Sequence, residues 1–306
     1  MIPILLDTDI GTDVDDAIAL ALLLASPELD LRAVTSVSGD VRLRARIAKK
    51  LLTLAGRTGI PVAAGVAEPV LRQRRFLWLG HEGRGIVDGD ESLPLAEAHG
   101  VDVLIDTVLR ERPHVVAIGP LTNLAVAIMK APTILEAIPH LTVMGGAFGV
   151  RDDATVPMVD YNLGSDPEAA LVVLSAGIPT TLVPLDVTWK VRLKEAELAR
   201  LRTATSPLVQ VVCDAMGIWW PLHRAVFAGQ GAYPHDVVAF LHDPLTVAAV
   251  FHRSFLTMTE RRLRAQIRDG LFQFVDDEAG AKFEVVEDVD APAFVEFLID
   301  RIQRFG

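Results

Sequence analysis

Ile2-Pro3-Ile4-Leu5-Leu6-Asp7-Thr8-Asp9-Ile10-Gly11-Thr12-Asp13-Val14-Asp15-Asp16-Ala17 is the stretch on which the fold turns. Ile2 to Leu6 is a short apolar run that ends in acid and reads as a buried strand. Asp16 to Ala25 (DAIALALLLA) reads as a helix whose first residue is a carboxylate, placed where the helix dipole favours negative charge. The same alternation continues outward. Leu31 to Val37 is a second strand and Val41 to Ala55 a second helix with a Lys/Arg face. Val115 to Ile118 and Leu141 to Met144 are strands around a helix at Leu121 to Met129. A helix at Asp166 to Ala176 precedes a strand at Thr180 to Val183. Apolar strands alternating with helices predict an α/β fold, a mostly parallel sheet covered on both faces. In the C-terminal half the periodicity is weak, and Phe272 to Val275 and Phe283 to Val286 suggest a hairpin-like pair. No repeat or linker interrupts the chain, so residues 1–306 are expected to form a single domain.

Composition bounds the function. The chain is 51% hydrophobic and carries 29 Lys+Arg against 40 Asp+Glu, a net charge of −11. That apolar content excludes disorder, and the acidity disfavours a nucleic-acid partner. The basic runs Arg72-Gln73-Arg74-Arg75 and Arg261-Arg262-Leu263-Arg264 are short enough to be solvated faces or contact patches. One cysteine, Cys213, excludes a disulfide framework and thiolate zinc sites. Neither a signal peptide nor a membrane span is read from the sequence, so a cytoplasmic protein is expected.

Asp7, Asp9, Asp13, Asp15 and Asp16 place five carboxylates within ten residues, between a strand and a helix. Ligands of open α/β sheets sit at the carboxyl ends of strands. Carboxylates so close raise one another's pKa, and a hard divalent cation, Ca²⁺ or Mg²⁺, relieves the conflict. An acidic capping turn on a solvated face is the plainer alternative. Leu5-Leu6-Asp7-Thr8-Asp9 also resembles the opening of haloacid-dehalogenase-type phosphotransferases, although Gly11 stands where that motif wants Thr or Val. An EF-hand fails, because its sixth and twelfth positions would be Thr12 and Ile18.

Asp7 to Ala17 further resembles the nucleoside hydrolase signature DTDxGxDDAxA, with two extra residues before the final Asp pair. Gly119-Pro120-Leu121-Thr122-Asn123-Leu124-Ala125 and Val143-Met144-Gly145-Gly146-Ala147 match two further segments of that family. Asp160-Tyr161-Asn162 with Asp166 to Ala170, and His242-Asp243-Pro244-Leu245-Thr246-Val247-Ala248, resemble two more. The chain is thereby identified as a member of the nucleoside hydrolase family, of the inosine-uridine preferring type. The resemblance implies a Rossmann-like open sheet with its active site at the C-terminal strand ends.

It also implies Ca²⁺-dependent cleavage of the N-glycosidic bond of ribonucleosides. Asp9, Asp16, the Thr122 carbonyl and Asp243 would hold the metal, with Asp9 as general base and His242 as acid for the leaving base. Substrate contacts would come from Asp15, Asp40, His81, Met144, Asp160 and Asn162. A homodimer or homotetramer is the implied assembly. Asp40 stands where the family has Asn, Asp160 replaces a Glu, and a family Asn falls near Ala154, so ribose recognition is where a departure is expected. His235-Asp236 competes with His242-Asp243 as the C-terminal pair, and Trp219, Trp220, Tyr161 and Phe148 are candidates to stack on a base. His99, His114, His140, His223 and His252 read as surface or capping residues without partners. A non-catalytic Ca²⁺-containing nucleoside-binding protein of the same fold is the other class to be distinguished.

Overall fold

The computed structural model describes residues 1–89, 92–148, 160–227 and 235–305. β1 (Ile2–Thr8) runs through the acidic turn into α1 (Asp15–Ala25), followed by β2 (Leu29–Ser36), α2 (Val41–Leu54) and β3 (Val62–Ala64). Beyond a long loop lie α3 (Gly100–Glu111), β4 (His114–Ala117), α4 (Thr122–Lys130) and β5 (Leu141–Met144). Next come α5 (Tyr161–Ser165), α6 (Pro167–Leu174), β6 (Thr180–Val183), α7 (Leu185–Thr188), β7 (Arg192–Lys194) and α8 (Glu195–Leu201). The remainder is α9 (Pro207–Phe227), β8 (Val237–Phe240), α10 (His242–Phe251), β9 (Leu256–Arg268), β10 (Leu271–Asp276), β11 (Ala281–Val289) and α11 (Ala291–Gln303).

The described strands build a nine-stranded sheet in the order β10-β9-β11-β6-β5-β4-β1-β2-β3, while β7 and β8 pair separately. From β3 to β11 every neighbouring pair is parallel. The chain winds outward from β1 to β3 and then returns to the other side of β1 with β4. Winding therefore reverses between β1 and β4, where an open α/β sheet leaves a crevice. Asp7 is in register with Thr35 and with Ala117, and Val143 with Ala117 and Leu182. The turns that follow β1, β4, β5 and β6 thus leave the sheet at one edge and converge.

Helix α1 shows why DAIALALLLA has no polar side. Every residue from Asp15 to Leu24 is buried, against α2, α9, α10 and α11 as well as β2. Each leucine so enclosed contributes roughly 1.5–3 kcal/mol from burial. Helix α2, by contrast, buries Ala45, Ile47, Ala48, Leu51 and Leu52 along one face and keeps its outer face polar.

The C-terminal strands correct the expected hairpin. Phe272 and Phe283 lie on β10 and β11, and neither strand pairs with the other; β9 runs between them, antiparallel to both. β9 holds the run Arg261-Arg262-Leu263-Arg264, whose charges hide its strand character. β9 is flanked on both sides, but all its side chains except Leu263 are exposed or half-buried, so the charges reach solvent. Here Arg261 pairs with Asp276 and Arg264 with Asp277, each at 2.8 Å.

Candidate active site

A cavity of about 460 Å³ opens at the reversal point, lined by residues from the turns after β1, β4, β5 and β6, from α5, α9 and α10, and from the long loop. Its floor is acidic: Asp9, Asp13, Asp15, Asp16 and Asp243 all line it. No Lys or Arg does. Carboxylate oxygens of Asp15, Asp16 and Asp243 lie within 4.8 Å of one another, a group able to hold a metal ion. Burial holds all five carboxyls above the usual range. Asp9 rises to about 6 and Asp13 to about 7, while Asp15, Asp16 and Asp243 are raised further, with neighbouring carboxylates adding to the effect. Buried like charges with only oxygen donors suit a hard dication.

Several buried groups hold this floor in place. Arg44, fully buried on α2, donates to the carbonyls of Asp9, Ile10 and Ser38 and to the Thr12 hydroxyl. Its positive charge also lowers the Asp9 and Asp16 pKa values against the effect of burial. Gly119 has to lack a side chain, because a Cβ there would meet Asp9 N at 2.8 Å and Asp9 Oδ1 at 3.0 Å. Asn123 donates to Asp7 at 2.7 Å and to the Ser36 carbonyl at 3.1 Å, and accepts from Val66 N, tying three chain segments together. Asp7 itself is fully buried beneath the floor, bonded to Thr35, and lines no part of the cavity. Neither Arg44 nor Asn123 was singled out from the sequence, since a lone Arg in a Lys/Arg-rich helix face looks solvated.

The long loop closes over the acidic turn. His81 Nε2 donates to the Thr12 carbonyl at 2.8 Å. The Glu82 carboxylate accepts from Leu79 N and Gly80 N, each at 2.7 Å, and from the Thr12 hydroxyl at 3.3 Å. Tyr161 accepts Leu77 N on its hydroxyl at 2.8 Å. Thr12, one of the residues that lengthen the turn, is therefore the point on which the loop docks. Leu77 and Leu79 become part of the cavity wall.

The rest of the wall is largely apolar and aromatic, with Ile118, Met144, Leu185, Trp189 and Trp219. His242, at the start of α10, lines the same cavity. Its Nδ1 lies 2.7 Å from the Thr188 hydroxyl, and its ring lies 5.5 Å from Phe240 and 6.1 Å from Trp189. Burial, then His223, pushes its pKa down to about 3. Asn162 donates through Nδ2 to the carbonyls of Ile118 and Met144, both at 3.2 Å, which fixes its amide orientation and leaves Oδ1 for a ligand.

Other expected site residues stand elsewhere. Asp40 is exposed and caps α2 through Leu43 N; it does not line the cavity. The Asp160 carboxylate is taken by Gly146 N (2.9 Å) and Leu163 N (2.8 Å), also outside the lining. His81 meets the acidic turn and stacks 5.5 Å from Trp219, in an adjoining crevice. Thr122 is fully buried, its hydroxyl donating to Asp166 at 2.7 Å. His235 and Asp236 are exposed, with Asp236 paired to Lys194, whereas His242 and Asp243 line the cavity. Phe148 stacks on Phe274 and Trp220 does not line the cavity. The position near Ala154 lies outside the described residues.

The remaining histidines differ from the surface expectation. His223 is fully buried between Trp219 and Phe240. His114 and His140 bond Thr142 and Thr181, each at 2.8 Å, and His252 stacks on Phe297 at 4.5 Å. Only His99 acts as a cap, accepting Val101 N.

Comparison with known proteins agrees with this architecture along the whole chain. The pyrimidine-specific ribonucleoside hydrolase RihA of Salmonella arizonae is 33% identical over 325 residues, spanning 100% of this chain and 99% of that one. A plant nucleoside hydrolase, PpNRh1, superposes with a TM-score of 0.85 at 27% identity, covering 99% of each chain. A purine-preferring ribonucleoside hydrolase from Gardnerella vaginalis does so at 0.81 and 26% identity, over 99% of this chain and 98% of that one. Residues 4–296 match the family described as inosine-uridine preferring nucleoside hydrolase, and to that family of N-glycosyl hydrolases the chain belongs.

Proposed function

We propose that this protein hydrolyses the N-glycosidic bond of ribonucleosides, releasing free base and ribose, with Ca²⁺ as its metal. The observation that carries the reading is one cavity whose lining combines five carboxylates, apolar and aromatic side chains, and His242. Asp9, Asp16 and Asp243, with the backbone carbonyl of buried Thr122, would hold the ion; the carboxylates whose oxygens lie within 4.8 Å of one another are Asp15, Asp16 and Asp243, so Asp15 would join that shell, and Asp9 lines the same cavity. An all-oxygen set, with no Lys or Arg among the described lining residues, favours the adaptable shell of Ca²⁺ over the strict octahedron of Mg²⁺. When bound, the ion supplies a Lewis acid that polarises water and neutralises the floor.

The protein's own groups divide the remaining work. Asp9 accepts the proton of the attacking water as general base. Asp15 and the Asn162 amide oxygen accept hydrogen bonds from ribose hydroxyls, orienting the sugar, and Met144 packs beside them. Trp189, Trp219 and Leu185 receive the flat base. His242, uncharged, donates a hydrogen bond to the departing base in place of a full proton. The docked loop excludes water from the cavity. The described lining, which holds no Lys or Arg, suits a neutral nucleoside better than a nucleotide. We further place the protein in the cytoplasm, as one catalytic unit assembled into a homodimer or homotetramer.

Incubation with a panel of purine and pyrimidine ribonucleosides, with and without chelator, tests the reading. Base release that chelation abolishes and Ca²⁺ restores is the expected result; no release from any nucleoside overturns it. Asp9→Ala should remove turnover while retaining nucleoside affinity, which separates catalysis from binding alone.

A further inference from the structure

The polar surroundings of His242 are sparse and specific. Thr188, the last residue of α7, has a fully buried side chain whose hydroxyl lies 2.7 Å from His242 Nδ1. That hydroxyl carries one proton and has two acceptors in reach, His242 Nδ1 and the Leu185 carbonyl at 3.4 Å. The second distance lies beyond the usual O–H···O range of about 2.5–3.0 Å. The Leu185 carbonyl also already accepts Trp189 N at 2.9 Å, so it does not depend on Thr188. The hydroxyl proton therefore belongs on the bond to Nδ1, and the imidazole proton on the other nitrogen.

We infer that Thr188 is a positioning residue that holds His242 as its Nε2–H tautomer, so that an N–H donor faces the leaving base. The inference rests on the proposed nucleosidase reading, in which His242 meets that base. Ring packing supports the same orientation. His242 is wedged beside Phe240 and Trp189, and Trp189 stacks on Phe240 at 4.0 Å, so rotation of the imidazole would break the aromatic packing. α7 thus supplies three things in five residues together with its C-cap: Leu185 and Trp189 for the wall, and Thr188 for the tautomer. In the reaction the C–N bond breaks and its electron pair stays on the base nitrogen. Nε2–H donates a hydrogen bond to that base, and no proton has to leave the imidazole.

Two measurements test the inference separately from the reading beneath it. Nitrogen NMR of the metal-loaded protein without substrate reports the tautomer directly: Nε2–H on His242 is expected, and Nδ1–H overturns the assignment whatever the enzyme's substrate. Kinetics of Thr188→Val and Thr188→Ser then report the consequence. Thr188→Val keeps the shape and should lower kcat for nucleosides about tenfold, the scale of one hydrogen bond. KM should hold, turnover of a nitrophenyl riboside, whose leaving group needs no help, should change less than twofold, and Thr188→Ser should restore kcat. Equal losses on both substrates, or unchanged kcat in Thr188→Val, overturn the positioning role. If His242→Ala turns nucleosides over normally, the assignment of His242 to the leaving base fails, while the tautomer measurement still stands.

Discussion

The two ends of the cavity are built on opposite principles. The floor gathers five carboxylates from two turns, and its groups conflict with one another. The wall gathers aromatic and aliphatic side chains from α7, α9 and the long loop, each stabilised by its neighbours before any ligand arrives. The floor is thus electrostatically incomplete without a cation, and the wall is preorganised. From this difference, substitutions in the floor should act on metal binding and chemistry together. Substitutions in the wall should act on substrate affinity alone.

The largest expected effect comes from the floor. Asp16→Asn removes one charge from the Asp15, Asp16 and Asp243 group while keeping a side chain able to bond Thr8. Turnover should fall by roughly 10³ or more, a loss of about 4 kcal/mol of transition-state stabilisation. Calorimetry should show metal binding lost with it. Normal activity in this variant would reduce the floor to an acidic turn.

A second expectation concerns pH. The carboxyls of Asp7, Asp9 and Asp13 rise from an ordinary 3.8 to about 7, 6 and 7 in the folded protein. Between these values the folded state keeps protons that the unfolded chain has released. Stability therefore falls with rising pH across that window. Chelated protein should melt at progressively lower temperature from pH 4 to pH 7, and Ca²⁺ should recover most at the upper end. A melting temperature that climbs with pH in chelator would contradict the incomplete floor.

The same asymmetry governs how much could be read from sequence. Most of the floor was legible because four of its five carboxylates are close along the chain, and strand-turn-helix patterning places that block at the carboxyl end of a strand. The alternation of β1, β2, β4, β5 and β6 with helices followed from apolar runs whose length and spacing are local properties, while the three-residue β3 was too short to read. The wall was legible only in part: Met144, Trp219 and His242 were named from the sequence and line the cavity, whereas Leu185 and Trp189 were not, because they meet the others only through tertiary packing. Arg44 was hidden for a related reason: its partners are backbone carbonyls, which leave no trace in residue identity. β9 escaped because its run of arginines masked its alternation, and Asp40 misled because an N-cap and a ligand use the same side chain.

The smallest effect tests whether the two ends are separable. Trp219 is only 5% exposed, lies between His81 and His223, and lines both the cavity and the adjoining crevice that Thr12 and Asp13 share. Trp219→Leu keeps an apolar surface but removes the aromatic face, a loss of about 1 kcal/mol in stacking. KM for nucleosides should rise about fivefold, with kcat nearly unchanged. Calorimetric Ca²⁺ affinity should match the parent protein. A parallel fall in metal affinity would mean that the loop seated on Trp219 also orders the acidic turn, coupling wall to floor through His81 and Thr12. In that case the contrast would be one of chemistry alone, and the wall would have to be counted among the determinants of metal binding.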